Sequence, residues 1–502
     1  YLSSDGALQT LVADAIGREL DFAGLEQLTQ RVTDHLKASG WLLARAYLPH
    51  QDITEGEIEI VLLAGQVDPS YRIVNGGKSA LRIDPALLTG IASRALPPGS
   101  AARTENLERA VLLTNDLPGI SAKSSLSPGS QADTTRIDLT IDEGPLFSGN
   151  LAVDNFGNRD TGQIQTNATG NLNDPFGQGD QATVLLTHAD GLNLLRGAYN
   201  LSADTNGLKA SAAWSSMAYR IIRGVGLASG LKGSSQTSTL SLAYPFIRQR
   251  SHNLNGNLAT NRKALKDESS AGILKDKRID NTTIALSGDA SHSLGFSTWN
   301  IGYTGGNVDL ARIAVDDAAD TAGYRSAGRY TKLNYGASHT QPLATDLSLF
   351  VNFSAQIAAK NLDSSEKFSL GGSSGVRAYP GGEASGDSGQ MLNLEARYDV
   401  PNPLNPLSVL GRLQVQAFYD TGRITLHRDA YDIPIPTHNA QNNYALSGWG
   451  LAASLMKTGS HNLRLVWAAK GGDNPGRATA TGFDGDGRRD ESRVWLQATI
   501  WF

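Results

Sequence analysis

Residues 347–357 read Leu-Ser-Leu-Phe-Val-Asn-Phe-Ser-Ala-Gln-Ile, and their pattern is the clearest indication of the fold class. Its odd-numbered positions are all apolar, whereas four of its five even-numbered positions are polar. Because successive side chains of a strand point to opposite faces, the alternation predicts a β-strand with one apolar and one polar face. Comparable segments recur to the end of the chain, as at 413–420, 463–470 and 494–502. Beyond Gly144-Pro145 the helical period is lost, and we count about sixteen such strands, separated by Gly, Asn, Asp and Pro.

The length and polarity of these segments favour a membrane barrel over a soluble β-sandwich, which would also alternate. They run for about ten residues, enough to cross a bilayer at a tilt. Their polar faces carry Gln, Asn, Ser and Arg, which suits a hydrated lumen. No apolar run approaches the roughly 18 residues of a spanning helix, so a closed antiparallel barrel is the expected membrane form. The aromatic residues near strand ends predict interfacial girdles: Tyr244, Tyr419, Trp495, Trp501 and Phe502.

Residues 1–144 show a different, mixed pattern. Apolar residues from Phe22 to Leu36 recur three and four apart, and strand-like runs follow at 42–48 and 57–63, after the predicted turn Thr54-Glu55-Gly56. A similar order recurs over 71–141, with a helix that opens at Asp84-Pro85. A repeat of roughly 70 residues predicts two small α+β domains rather than one. The expected boundaries are 1–66, 67–145 and 146–502.

Composition excludes several classes of function. The absence of Cys among 502 residues suits the bacterial envelope, and a net charge of -5 without a basic stripe argues against nucleic-acid binding. The nine His residues show no spacing that pairs them with a base or a metal. We therefore predict no catalytic residue, no metal and no cofactor. The run Asp484-Gly-Asp-Gly487 lacks the later ligands of a calcium loop and predicts an exposed turn.

A glycine-rich segment at 368–389 lies between the strands that end near Lys360 and begin near Gln390. Simple flexibility is one interpretation, and a phosphate-binding loop lacks the strand-loop-helix context that it needs. Within the glycines stands the single cation Arg377, while Asp420 lies on the polar face of a later strand. A loop folded into the lumen could pair the two charges, where reduced water access would strengthen the bond. Alternatively, both are ordinary solvated charges.

Two motifs resemble a known family. Gly375-Val-Arg-Ala-Tyr379 is similar to the signature loop of the two-partner secretion transporters, and Phe418-Tyr-Asp-Thr-Gly422 is similar to their strand motif. These proteins join POTRA (polypeptide-transport-associated) domains to an outer-membrane barrel. Ala378 departs from the family, which has Gly there, and this puts the backbone conformation of the loop tip in doubt. Resemblances also cover 42–49, 173–180 and 243–248, so they span nearly the whole chain.

The resemblance implies a location in the bacterial outer membrane with the POTRA domains in the periplasm. It implies an unfolded exoprotein with an N-terminal secretion domain as partner, the barrel assembly machinery and outer-membrane lipid as contacts, and a monomer. It also implies a lumen lock between Arg377 and Asp420 and a barrel-assembly signal at Phe502. The lock would include Gly375, Val376 and Tyr379 of the loop and Phe418 and Gly422 of the strand.

The sequence leaves two other functions open. The serious alternative is an insertase of membrane proteins, whose clients would be barrels. A passive porin would share the barrel but needs neither the POTRA-like repeats nor the Arg377 loop. By comparison with the family, the chain is expected to start at Tyr1 after the first POTRA strand and the helix that plugs the pore.

Overall fold

The computed structural model describes residues 6–53, 56–77, 79–131, 133–431, 433–435, 437 and 440–502. The predicted start at Tyr1 and the residues Thr54 and Glu55 of the predicted turn lie outside these ranges. None of the helices in the described ranges combines the length and hydropathy that crossing a membrane requires.

The first N-terminal unit consists of α1 (Gly6–Val12), α2 (Phe22–Ala38), β1 (Arg45–Tyr47) and β2 (Val61–Leu63). Asp21 caps α2 by accepting the backbone N–H of Gly24 at 2.8 Å. The strands are shorter than the predicted runs 42–48 and 57–63. One reason is that the Leu42 N–H bonds the carbonyl of Ala102, so the chain at this point joins the second unit instead of the β1–β2 pair.

The second unit repeats the order of helices and strands. It contains β3 (Gln66–Asn75), α3 (Pro85–Ala95), α4 (Thr104–Asn115), β4 (Ile120–Pro128) and β5 (Thr134–Glu143). The sheet order is β3-β5-β4, with β3 parallel and β4 antiparallel to β5. The central strand β5 buries its odd-numbered residues Ile137, Leu139 and Ile141, the same three that alternate in the sequence.

Sixteen strands close into an antiparallel barrel, as predicted. The first eleven are β6 (Phe147–Asp154), β7 (Gln165–Asn173), β8 (Gln181–Ala189), β9 (Leu192–Ser202), β10 (Lys209–Arg220), β11 (Lys232–Arg248), β12 (His252–Ser269), β13 (Gly272–His292), β14 (Gly295–Asp309), β15 (Gly328–Pro342) and β16 (Leu347–Ala358). Between β14 and β15 lies α5 (Ala314–Ala322), and after β16 the two-residue strands β17 (Phe368–Ser369) and β18 (Ser385–Gly386) pair within a long loop. The last five are β19 (Ser388–Asp399), β20 (Arg412–Thr425), β21 (Asn443–Lys457), β22 (His461–Lys470) and β23 (Ser492–Trp501).

The apolar face of each strand points out of the barrel. On β16, Leu349 and Ile357 are 42% and 52% exposed, whereas Gln356 on the opposite face is 3% exposed. The barrel closes between β23 and β6, and there the ring of Phe502 stacks on Phe147 at 6.2 Å. Because apolar side chains face outward and polar ones inward, the barrel matches the pattern of a membrane-spanning barrel with a polar lumen.

The second unit is fixed to one end of the barrel, which we call the proximal end. Asp116, directly after α4, accepts two N–H bonds of 2.8 Å from Arg248 at the end of β11. The backbone carbonyl of Asp116 also accepts a bond from Lys209 at the start of β10. Arg109 on α4 donates to the carbonyls of Asn206 and Pro245. The opposite end of the barrel is called the distal end.

Candidate functional site: a loop locked in the barrel lumen

The long distal loop between β16 and β19, residues 359–387, folds back into the barrel. Glu366, which is 3% exposed, accepts from Lys263 at 2.6 Å and from Lys332 at 2.9 Å, both on the barrel wall. Asp363 bonds Lys277 of the wall at 2.6 Å. We call these contacts the base anchor, because they hold the beginning of the loop against β12, β13 and β15.

The tip of the loop is a tight turn. The Val376 N–H bonds the Leu370 carbonyl at 2.7 Å, and the Tyr379 N–H bonds the Val376 carbonyl. A Cβ on Gly375 would lie 2.0 Å from the Leu370 oxygen, so only glycine fits this close approach of two backbone segments. Gly422 on β20 is restricted in a similar way, since a Cβ there would lie 2.6 Å from Leu370.

Arg377 and Asp420 are in direct contact. Asp420 Oδ2 accepts from Arg377 Nε at 2.8 Å and from the Arg377 backbone N–H at 3.0 Å, and Oδ1 accepts from Nη2 at 2.7 Å. Their side chains are 3% and 0% exposed. Such a bidentate, water-excluded pair fixes both distance and orientation.

Two further partners were not found from the sequence. Arg377 Nη1 donates to Glu395 at 2.8 Å, and Glu395 is shared with Arg397 of the same strand at 2.7 Å. Asn393 donates to Asp420 Oδ1 at 2.8 Å and to the Gly375 carbonyl at 3.1 Å. Arg377 and Arg397 balance the charges of Asp420 and Glu395, which lowers the cost of burying these four groups. Alternation could have placed Asn393 and Glu395 on the lumen face of β19, but not opposite Asp420.

Aromatic side chains enclose the guanidinium group. The ring of Phe418 lies 3.5 Å from the Arg377 guanidinium carbon, a cation–π contact. Trp495 donates its indole N–H to the Arg377 carbonyl at 2.8 Å and is 4% exposed. The prediction of Trp495 as a girdle residue is therefore wrong. Its neighbours Val494 and Leu496 point outward, so Trp495 points into the lumen.

Ala378 and Tyr379 complete the tip. Ala378 is fully buried, and its backbone φ is not positive, so the loop tip does not need the glycine of the family motif at this position. The Tyr379 ring is also fully buried and lies 5.3 Å from Lys470 Nζ. Within the described residues, the Tyr379 hydroxyl has no hydrogen-bond partner.

The distal side of the loop is covered by the segment between β22 and β23. Glu383 of the loop accepts from Asn474 at 2.7 Å and from the Gly485 N–H at 2.6 Å. Asp484 bonds Lys470 at 2.7 Å and Asp486 bonds Arg493 at 2.6 Å, and both carboxylates are 3% exposed. The prediction of an exposed turn at Asp484-Gly-Asp-Gly487 is therefore wrong, because the turn packs onto the lumen loop.

No group of three or more His, Cys, Asp or Glu side chains in the described ranges is arranged to hold a metal ion. The contacts at this site are ion pairs, hydrogen bonds and aromatic packing. Removing one partner of a buried pair leaves an uncompensated charge and costs about 3–5 kcal/mol, so the cluster strongly favours one position of the loop.

Comparison with known proteins agrees with this architecture. The family model of the haemolysin secretion/activation protein ShlB/FhaC/HecB matches residues 133–451, more than half of the chain, and the ShlB-type POTRA domain matches residues 2–65. The chain is 27% identical over 477 residues to the heme/hemopexin transporter protein HuxB of Haemophilus influenzae strain 86-028NP, covering 93% of this chain and 80% of the relative. It is 24% identical to the outer membrane transporter CdiB of Escherichia coli O6:K15:H31, covering 90% of this chain and 74% of that protein.

Solved structures share the fold. CdiB from Escherichia coli superposes with a TM-score of 0.77 at 19% identity, covering 99% of this chain and 88% of that chain. BamA from Haemophilus ducreyi lacking POTRA domains 1–3 superposes with a TM-score of 0.57 at 13% identity, covering 99% of this chain and 97% of that chain. The match to the POTRA model precedes the match to the secretion-protein model along the chain, as the N-terminal units precede the barrel in the structure. The matched models identify the chain as a member of the ShlB/FhaC/HecB family of haemolysin secretion/activation proteins.

Proposed function

We propose that this chain recognises an unfolded exoprotein in the periplasm through its POTRA domains and moves it through the barrel to the cell surface. The family consists of two-partner secretion transporters of the outer membrane, with POTRA domains in the periplasm. The proximal end of the barrel therefore faces the periplasm and the distal end faces the outside. The observation that carries the proposal is the Arg377–Asp420 pair, which holds a motif-bearing loop inside a sixteen-stranded lumen.

In this proposal, residues 1–66 and 67–145 form two POTRA domains and residues 146–502 form the barrel. The loop acts as a structural lock that keeps the lumen in the arrangement required for export, with Gly375, Val376 and Tyr379 shaping the tip. Phe502 contributes to the assembly signal through its position beside Phe147 at the closing seam. The name of the Haemophilus relative makes a heme- or hemopexin-binding exoprotein a reasonable first substrate to test.

The edge of β4 is the recognition surface that we favour. β4 lies at one side of the second sheet, where an extended segment could add a strand through main-chain hydrogen bonds. The outer edge at Ala122 is already occupied, since the Asn115 amide bonds both its N–H and its carbonyl. Because edge groups alternate along a strand, Ser124 and Leu126 also point their N–H and C=O groups away from β5. Residues 124–126 are therefore the open part of this edge.

The test is secretion of a candidate exoprotein, sought among the genes beside this one, in cells with and without the transporter. We expect export only with the transporter, and a severalfold loss in Ser124→Pro, which removes an outward N–H without breaking the β4–β5 ladder. Ser124→Ala, which keeps that N–H, is the matched control and should export normally. Export that is indifferent to the transporter, with failed insertion of other barrels in its absence, would show an insertase instead.

A further inference from the structure

The periplasmic turn between β19 and β20 differs from all others in the barrel. It spans twelve residues, 400–411, whereas the other proximal turns between barrel strands span two to seven. Four of its side chains are apolar and exposed: Leu404 at 68%, Leu407 at 42%, Val409 at 88% and Leu410 at 50%.

The turn is held by its own hydrogen bonds. Asn405, which is 4% exposed, donates from its amide to the Gly411 carbonyl at 2.9 Å and accepts the Leu407 N–H at 2.9 Å. Pro401, Pro403 and Pro406 restrict the backbone further. The apolar side chains are therefore presented by an ordered turn, and a ligand that binds them does not have to order it first.

The turn lies at the mouth of the lumen. Val409 and Asn402 line an open cavity of about 560 Å³ together with Asp399, Arg412 and Met456. The last three lie at the proximal ends of β19, β20 and β21, in the inward-facing positions of their strands. On β19, Asp399 alternates with Tyr398, which is exposed on the outer face. The most exposed apolar side chain of the turn thus adjoins the pore rather than the lipid-facing belt.

The charges around this cavity are balanced. Arg412 is ion-paired with Asp399, and Lys457 and Asp346 add one charge of each sign to the lining. With no net charge to select a ligand, apolar contact is the attraction that the surface offers. An unfolded polypeptide exposes apolar side chains at irregular intervals, and burial of such side chains is favourable without directional requirements.

We propose that residues 400–411 form an apolar entry site that contacts the apolar side chains of the unfolded exoprotein as it passes from the POTRA domains into the pore. This inference rests on the proposed function. It assigns to the barrel itself a second substrate contact, separate from strand addition at β4 and dependent on side chains rather than on main-chain hydrogen bonds.

The first test places a photo-crosslinking amino acid at Val409 of the full-length transporter, in cells that also make the exoprotein. The matched control carries it at Leu294, which is 63% exposed in the short turn between β13 and β14. We expect a crosslinked exoprotein at Val409 in severalfold excess over Leu294. Adducts at Val409 with phospholipid and not with the exoprotein would overturn the inference, because they would show that the turn enters the membrane.

The second test compares Val409→Asp with Leu294→Asp at equal amounts of folded barrel. The inference predicts at least a threefold loss of exported protein for Val409→Asp and none for Leu294→Asp. If the wild-type transporter exports the exoprotein while Val409→Asp exports equally and Val409 gives no crosslink, the entry site is wrong and the proposed function stands. If the wild type exports nothing, the proposed function fails, and this inference fails with it.

Discussion

The methyl group of Ala378 occupies the space that Gly448 leaves open in the barrel wall. A Cβ built on Gly448 would lie 2.7 Å from the Cβ of Ala378, closer than two carbon atoms approach without a shift. Where the family motif has glycine in the loop, this chain has alanine and accommodates it against a glycine of β21. The loop tip and the wall are thus matched as a pair.

Gly448→Ala should destabilise the docked loop by about 1–3 kcal/mol, since it overpacks a buried contact. Adding Ala378→Gly should restore most of the lost stability, because removing the methyl group of Ala378 makes room for the new methyl group at position 448. The measurement is the temperature at which the barrel loses its folded mobility on semi-native gels. Gly197→Ala is the control, as a Cβ there meets nothing within 4 Å. Failure of the double variant to recover would show that the approach to the Ala469 carbonyl, 3.1 Å from the added Cβ, and not the contact with Ala378, sets the cost.

Asp420→Asn should lower the stability of the folded barrel by about 3 kcal/mol, because it removes one of the two buried countercharges of Arg377. The same gel assay checks this. Asp280→Asn is the comparison, since its pair with Arg262 has a similar length of 2.7 Å but side chains 47% and 65% exposed. That exposed pair should contribute no more than about 1 kcal/mol. Equal effects of the two substitutions would contradict a water-excluded lock.

Arg248→Ala should loosen the second N-terminal unit from the barrel, because it removes both side-chain bonds to Asp116. The distribution of spin-label distances between β4 and a proximal barrel turn should broaden. The charge swap Arg248→Asp with Asp116→Arg should make the distribution partly narrower again. Arg250→Ala is the control, since its contact with Glu108 is 3.8 Å long and its side chain is 74% exposed. An unchanged distribution in Arg248→Ala would mean that the Lys209 and Arg109 contacts suffice.

The second N-terminal unit should lose stability in acid through Asp68. The pKa of this fully buried carboxylate lies well below its ordinary value of 3.8, first because the Ser70 hydroxyl and N–H donate to it and then because Ser130 does. A lowered folded-state pKa gives a stabilisation that is complete above the unfolded value and is lost as pH falls toward the folded one.

Hydrogen exchange of β3 to β5 in the full-length protein, followed from pH 6 downward, measures this effect. Protection in the wild type should fall below about pH 4, where the unfolded state begins to take up the proton. Asp68→Asn should show lower protection at pH 6 and a flatter pH profile. A variant with the same pH profile as the wild type would place the acid sensitivity elsewhere.

The fold class could be predicted from the sequence because its signals are local. Alternation, as at 347–357, identifies outward and inward faces without knowledge of which strands pair, and Asp84-Pro85 marks a helix start by its capping chemistry. The predicted barrel preceded by an N-terminal POTRA domain is confirmed. The short β1 and β2 could not be predicted, since their ends depend on contacts with the second unit.

The lumen site could be predicted only in part, because some of its residues become partners only through contacts between distant segments. Arg377 and Asp420 stand out as charges in a motif, but Glu395 and Asn393 become partners only through the register of β19 against β20. Trp495 is an aromatic residue near the end of a strand, as girdle residues are, and only its hydrogen bond to the loop shows that it points into the lumen. Asp484 and Asp486 are polar and glycine-flanked, which suggests exposure, yet their cationic partners bury them.

The role of the lumen loop in export is measured with Arg377→Ala, as the amount of exoprotein exported per folded barrel in the outer membrane, compared with wild type and with cells that lack the transporter. We predict export by the wild type, none without the transporter, and a severalfold reduction in Arg377→Ala at normal barrel levels. Export by Arg377→Ala equal to wild type would contradict the role of the lumen loop as a lock, and export without the transporter would contradict the function itself.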